Sequence, residues 1–298
     1  MAINPQRLMR IATVASMAVA VSLIGAKTVA WLMTESVSML SSLVDSSLDF
    51  LASLITFLAV RHALTPADAD HRFGHGKAEA LAGLTQAGFI AASGGGLLLT
   101  VSDRLLHPHQ VQQEALGVAI SAAAIVLTLG LVAFQNYAVR VTGSIAIGAD
   151  KAHYKTDIVS NIAVGAALFL SGRFDQPLID AGMAAVVAVY LIHGAWGVGR
   201  GSFDVLMDRE LADSERLRIV EIAKRHPEVQ DIHDLRTRSS GLTKFIQLHI
   251  ELDPAYTLVK AHEIGDQVEA DIQKEFPDAE IILHVDPHGV AEPRPRFA

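Results

Sequence analysis

The chain has 298 residues, 51% apolar and 19% charged, and its 32 acidic side chains outnumber 24 basic ones for a net charge of −8. So apolar a chain with an ordinary charged share is no simple soluble domain, and charge divides it: residues 1–204 hold 12 Lys and Arg against 13 Asp and Glu, whereas residues 205–298 hold 12 against 19. The acidic second part excludes nucleic acid and suits cations, and the absence of cysteine excludes disulfides and thiolate ligands, so that any metal must be held by His, Asp and Glu.

Six apolar runs approach the roughly 20 residues needed to cross a bilayer: 8–33, 37–60, 78–101, 116–137, 145–170 and 178–198. The first is longer than a signal-peptide core and has no clear small-residue cleavage site, so it is expected to be retained. With the N-terminus in the cytoplasm, Arg7, Arg10, Arg61, Arg72, Lys77, Arg140 and Arg200 lie inside and only Arg104 and Arg173 outside, which fixes both termini on the cytoplasmic side. Lys27 falls near the outer end of the first run and is expected to snorkel to the interface. The glycines 94–96 and Gly194, Gly197, Gly199 and Gly201 are read as packing positions that let helices approach.

Beyond residue 204 the pattern turns soluble. An amphipathic helix is expected over 213–225, ended by His226-Pro227, then alternating strands over 229–238 and 243–252 about a turn at Ser239-Ser240-Gly241. A helix over 258–276 and a strand over 280–285 complete an αββαβ order, an α+β module with helices on one face of its sheet. The expected domains are 1–204 in the membrane, 205–290 in the cytoplasm and a flexible tail at 291–298.

Asp45 and Asp49 stand one turn apart in the second run, and His153 and Asp157 do the same in the fifth, which crosses in the opposite direction. At about 1.5 Å per residue, all four lie roughly 12–19 Å from where their helices enter the bilayer. Aligning Ser36-Val37 with Ser144-Ile145 sets Asp45 over His153 and Asp49 over Asp157 without a gap, as inverted repeats in transporters do. Ionisable groups so deep face a cavity, an ion path or each other. Three carboxylates and one imidazole make a plausible tetrahedral cage for a divalent metal, and the imidazole moves the preference from magnesium, calcium or manganese toward zinc, cadmium or ferrous iron. Metal and protons compete for these groups, which suffices to couple metal export to proton entry. Asp150, Lys151 and Lys155 are read as vestibule or interhelical groups. Elsewhere, His71 and His75 lie at i,i+4 beside Asp68 and Asp70, and His284 and Asp286 share one face of a strand.

The six runs, the DSSLD and HYKTD pairs, the FGHGKAE loop, LRTR at 235–238 and the acidic C-terminal module with HVDP together resemble the cation diffusion facilitator family, specifically its bacterial zinc and iron efflux transporters. The resemblance spans essentially the whole chain. It implies a homodimeric proton-coupled antiporter of the bacterial inner membrane, with a ferredoxin-like, metallochaperone-like cytoplasmic domain and zinc, cadmium or ferrous iron as substrate and bound metal. It implies a transport site at Asp45, Asp49, His153 and Asp157, a loop site at Asp68, His71 and His75 in which Asp70 can replace Asp68, and a binuclear site at His233, His249, His262, His284 and Asp286. Lys77 and Asp208 match an interdomain charge pair. His62, His107, His109, His193, His226 and His288 match no family role. The connection 140–144 is short and has no histidine-rich loop, unlike vesicular zinc transporters. Two other readings are a membrane metal sensor and a metalloenzyme; the nearest HExxH pattern begins at His262-Glu263 but has Asp266 in its last position.

Overall fold

A computed structural model of the chain describes residues 4–34, 37–106, 115–174 and 177–290. The expected tail at 291–298, His107 and His109 lie outside these residues, as do the side chains of Arg104 and Arg173. The chain forms two compact units that part between Leu206 and Met207.

The first unit contains six long helices: α1 (Pro5–Thr34), α2 (Val37–Ala63), α3 (Ala78–Leu106), α4 (Ala115–Thr142), α5 (Ile145–Phe174) and α6 (Pro177–Leu206). The Asn4 side chain caps α1, accepting from the Gln6 and Arg7 backbone N–H groups at 2.9 and 3.4 Å, and Pro5 suits the first helical position. Among the described residues, five of the six contain stretches apolar and long enough to span a bilayer; the described first half of α5 carries Asp150, Lys151, Lys155 and Asp157. It packs against α6, α3 and α4 nonetheless.

Two polar devices fix the start of α5. Ser144 accepts at Oγ from the Ile147 N–H at 3.3 Å as an N-cap, while its hydroxyl donates to the Glu79 carboxylate. Glu79, in the first turn of α3, also accepts from the Ala146 N–H at 3.4 Å, placing a carboxylate at the positive end of α5.

Further up, the buried Asp150 is a shared acceptor. Ser53 of α2 and Gln86 of α3 donate to its Oδ1, both at 3.2 Å, and Gln135 of α4 donates to Oδ2 at 2.7 Å. The Gln135 amide reaches Ser16 of α1 at 2.9 Å, and Gln86 reaches the Ala52 carbonyl and Thr56 at 3.0 and 2.9 Å. Of the two roles expected for Asp150, the structure therefore shows the interhelical one, linking α5 to four other helices. Lys151 is interhelical too, donating to Asn136 at 3.3 Å.

Small residues bring α3 and α6 together at Gly83 and at two of the expected glycines, Gly94 and Gly199, the latter with a Cβ position 3.4 Å from Ala87. A Cβ on Gly83 would lie 2.1 Å from Ser202 Oγ, and one on Gly94 would meet Ile192 at 3.0 Å. Gly95, Gly96, Gly194, Gly197 and Gly201 face open space.

The second unit is αββαβ: α7 (Asp213–Ala223), β1 (Asp231–Ser240), β2 (Thr243–Leu252), α8 (Leu258–Glu275) and β3 (Ala279–Pro287). The central β2 pairs antiparallel with β1 and parallel with β3. Its even-numbered residues Ile246, Leu248, Ile250 and Leu252 are buried against Ile219 and Ile222 of α7 and Ile264, Val268 and Ile272 of α8. That core leaves Gln247, His249 and Glu251 on the odd-numbered face of β2, beside Phe245.

Element ends moved by a few residues from expectation. The first helix stops at Ala223, and β1 extends through Ser239 and Ser240, which pair with Lys244 and Thr243, because the hairpin needs only the two residues Gly241 (φ 61°) and Leu242 to turn. The last strand gains residues at both ends by pairing along the full length of β2.

Replacing Asp150 by Ala should lower the stability of the detergent-solubilised protein by about 3 kcal/mol, since two buried amides lose their acceptor. Thermal unfolding measures this; an unchanged midpoint would show that the network does not hold the helices.

Candidate metal centres

Within the helical unit, His153 Nε2 lies 3.1 Å from Asp49 Oδ1 and 3.7 Å from Asp157 Oδ2. One ligand atom from each of these three residues lies within 4.8 Å of the other two, a spacing that admits a metal ion. Helical periodicity explains the convergence: Asp157 follows His153 by one turn on α5, and Asp49 approaches from α2. His153 Nδ1 and Asp157 Oδ2 are buried with no hydrogen-bond partner, a costly state in which a metal or a proton can serve. Asp45, one turn earlier on α2, is exposed and stands outside the group of three.

A small cavity of about 50 Å³ adjoins the cluster, and Lys27, Asp49, Tyr154, Asp157 and Asn161 all line it. The expected snorkelling of Lys27 is corrected here: its ammonium turns to α2, donating to Ser46 Oγ at 2.6 Å and to the Ser42 carbonyl at 3.1 Å. Two acceptors on the neighbouring helix thus take up its N–H groups. Sequence reasoning also passed over Asn161, although it extends the His153, Asp157 series by one more turn.

Between α2 and α3, Asp68, His71 and His75 form a second group with ligand atoms within 4.8 Å of one another. Asp68 Oδ1 accepts from the backbone N–H groups of Asp70 and His71 at 3.0 and 2.7 Å, so the same residue shapes the turn and offers oxygen. Gly74, at φ 74°, allows the chain to reverse. His75, with 6% of its side chain exposed, points Nε2 to Asp68 Oδ2 at 3.3 Å, and its Nδ1 lies 3.0 Å from Thr65 Oγ1. The Thr65 hydroxyl donates to the His62 carbonyl at 2.6 Å, so His75 Nδ1–H donates to Thr65 and Nε2 is left as the ligand atom. The His62 ring, given no role from sequence, packs edge-on against His75 with centroids 4.5 Å apart. Asp70 is not in the group.

The third cluster crosses the sheet. His233, His249 and His284 occupy one register row over β1, β2 and β3, on the face away from the hydrophobic core. Asp286, one outward position further along β3, collects all three: its Oδ2 lies 2.8 Å from His249 Nδ1 and 3.3 Å from His233 Nε2, and its Oδ1 lies 3.0 Å from His284 Nε2. His233, His249 and Asp286 have ligand atoms within 4.8 Å of one another. His262 stands apart on α8, 77% exposed and 3.5 Å from Asp266, although it lines the same depression as Asp286.

Glu251 was missed from sequence. Its Oε1 lies 3.1 Å from His233 Nδ1 and its Oε2 2.8 Å from His288, so a carboxylate orients one member of the cluster. The signal existed: His249 and Glu251 alternate on β2 as His284 and Asp286 do on β3, and Glu251 pairs with Asp286.

Of the expected interdomain pair, Lys77 donates to the Leu206 carbonyl at 3.4 Å within the first unit. Asp208, at φ 56°, accepts from Arg238 at 3.2 Å within the second.

A bundle of membrane-length helices with buried His and Asp, followed by an α+β module whose outer face collects His and Asp, defines a multi-pass membrane protein with a soluble metal-ligating domain. Residues 13–207 match the family model for the cation efflux transmembrane domain, and residues 211–288 match the model for the cation efflux protein cytoplasmic domain. The chain belongs to the cation efflux, or cation diffusion facilitator, family, a family of transporters and not of enzymes. Its relatives include the cation-efflux pump FieF of Shewanella oneidensis, 47% identical over 93% of this chain and 94% of that one. Those of Klebsiella pneumoniae subsp. pneumoniae and Cronobacter sakazakii are each 44% identical, over 95% and 98% of this chain and 94% and 96% of theirs. Among solved structures, the metal-bound C-terminal domain of the CzcD transporter from Thermotoga maritima aligns with 26% of this chain and 93% of its own at 30% identity and a TM-score of 0.26.

The His71 backbone N–H, and behind it that of Asp70, hold the Asp68 carboxyl below the usual carboxylate range. The turn's hydrogen bonds are therefore fully present above about pH 3.9, the unperturbed Asp value, and are lost as pH falls through the lower folded value. Carbon NMR on Asp-labelled protein should find Asp68 titrating below ordinary aspartates; a normal or raised midpoint would separate it from the turn.

Proposed function

We propose that the chain exports divalent transition-metal ions from the cytoplasm, zinc foremost with cadmium and ferrous iron as further substrates, in exchange for protons. The observation that supports this best is the convergence of Asp49, His153 and Asp157 inside the helical unit, with buried His153 and Asp157 atoms lacking hydrogen-bond partners. Asp45 completes the ligand set from one turn away on α2, giving three carboxylates and one imidazole.

Metal binding requires a neutral His153 and ionised carboxylates. A proton on His153 instead turns Nε2 into a donor toward Asp49, which the 3.1 Å separation already permits. Ion and proton thus satisfy the same buried groups in turn, and the exchange follows from their exclusion of one another. The imidazole sets the preference against manganese, magnesium and calcium.

The Asp68, His71, His75 loop and the sheet cluster are metal-binding sites at the cytoplasmic side. In the latter, Asp286 serves as the bridging carboxylate of a binuclear centre with His233, His249, His262 and His284. The protein works as a homodimer in a bacterial inner membrane with both termini in the cytoplasm, an orientation supported by the Arg and Lys bias of its loops.

In reconstituted vesicles, zinc uptake should move protons in the opposite direction, and Asp49→Ala or Asp157→Ala should reduce zinc flux by about 100-fold or more, since losing even a group that only orients a ligand costs about 10–100-fold. His153→Asp should retain flux but relax discrimination against manganese. Zinc flux without proton movement, or intact flux in the alanine variants, would defeat this reading.

The sheet cluster predicts a graded pattern of zinc stoichiometry in the full-length protein. Asp286→Ala should lose the cytoplasmic zinc, whereas His262→Ala should retain the ion held by His233, His249 and Asp286. Equal losses would show that His262 is as integral to the first ion as the other three.

A further inference from the structure

Lys27 is a lysine from one transmembrane helix whose ammonium lies against another, beside the carboxylates assigned to the metal. It is half-buried, hydrogen-bonded to the buried Ser46 and to the Ser42 carbonyl, and lines the same cavity as Asp49 and Asp157. Its charge acts on Asp49, Asp45 and Asp157. Neither Ser46 nor the Ser42 carbonyl needs a charged partner, since a neutral amide would serve as donor to both. What a lysine adds at this place is a fixed positive charge, in a medium where an isolated charge is costly and charges interact strongly.

We propose that Lys27 is the built-in counter-cation of the intramembrane site, a residue that sets how tightly a divalent ion is held and thereby how readily it leaves. Three carboxylates around a neutral imidazole would leave an excess negative charge on a divalent ion and retain it. Lys27 removes one unit of that excess, so that the loaded site, counted with its neighbour, is neutral. The residue does not ligate the ion; it acts on the ligands' field from the cavity wall. This inference rests on the metal-export reading of Asp49, His153 and Asp157.

The test separates charge from hydrogen bonding. Lys27→Gln keeps donors for Ser46 and the Ser42 carbonyl but removes the charge; Lys27→Arg keeps the charge. Zinc binding by the full-length solubilised protein is measured with and without Asp49→Ala, so that the Asp49-dependent component is isolated, and zinc uptake is measured in vesicles. Lys27→Gln should tighten the Asp49-dependent component by about tenfold, the order expected for one unit charge acting on a divalent ion across a cavity wall. In vesicles it should lower both the half-saturating zinc concentration and the maximal rate, while Lys27→Arg stays near wild type in both. Unchanged affinity in Lys27→Gln overturns the inference, and weaker zinc binding in that variant overturns it by making Lys27 an organiser of the site. If Asp49→Ala itself leaves binding and flux intact, the export reading fails, and the inference that depends on it fails too. If Asp49→Ala abolishes both while Lys27→Gln changes neither, the inference alone is lost.

Discussion

The helical unit is organised around a carboxylate that stands outside the candidate metal groups of the described residues. Asp150 is buried and accepts from Ser53, Gln86 and Gln135, and through their amides its bonds reach Ser16, Thr56 and the Ala52 carbonyl. In lipid, apolar helix faces gain nothing from mutual burial that hydrocarbon would not also give, so interhelical hydrogen bonds and close packing set their arrangement. One buried acceptor shared by three helices, and by a fourth through Gln135, is therefore a strong constraint on where α5 sits. Three residues further along α5 comes His153, and four beyond that Asp157, so the same constraint fixes the imidazole and carboxylate that meet Asp49. Neighbouring positions on one helix thus divide the work, with one acid holding the helix and another meeting His153 and Asp49.

The soluble unit reaches a comparable arrangement by strand parity. Even-numbered residues of β2 build the hydrophobic core, which forces His249 and Glu251 outward, and the register sets them beside His284 and Asp286 of β3. Burial on one face thus determines chemistry on the other. The bulge between His233 and Arg236, with Asp234 at φ 49°, bends β1 where His233 must reach Asp286.

Much of this was legible in sequence because it depends on short periods. The i,i+4 spacing of Asp45 with Asp49 and of His153 with Asp157 needs only helices of the expected length, and the two-residue spacing of His284 and Asp286 needs only a strand. Lys27 was misjudged for a different reason: distance from a helix end is visible in sequence, but Ser46 and the Ser42 carbonyl on the next helix are not. Asp150 was ambiguous because its donors come from residues 15 to 97 positions away. Glu251 escaped attention although His249 stands two positions before it, because the histidines it touches, His233 and His288, come from the neighbouring strand and from just past β3. His262 shares a depression with Asp286 while its imidazole turns to Asp266, a choice between neighbours that spacing alone does not decide.

The clamp between Glu79 and the start of α5 has a mechanical consequence. Glu79 lies four residues after His75, and Ser144 and the Ala146 N–H are fastened to its carboxylate. A few-residue path of covalent bonds and hydrogen bonds therefore joins the loop bearing Asp68, His71 and His75 to the helix bearing His153 and Asp157. The first turn of α3 and the start of α5 are thus held as one joint, with the loop on one side of it and the buried imidazole on the other.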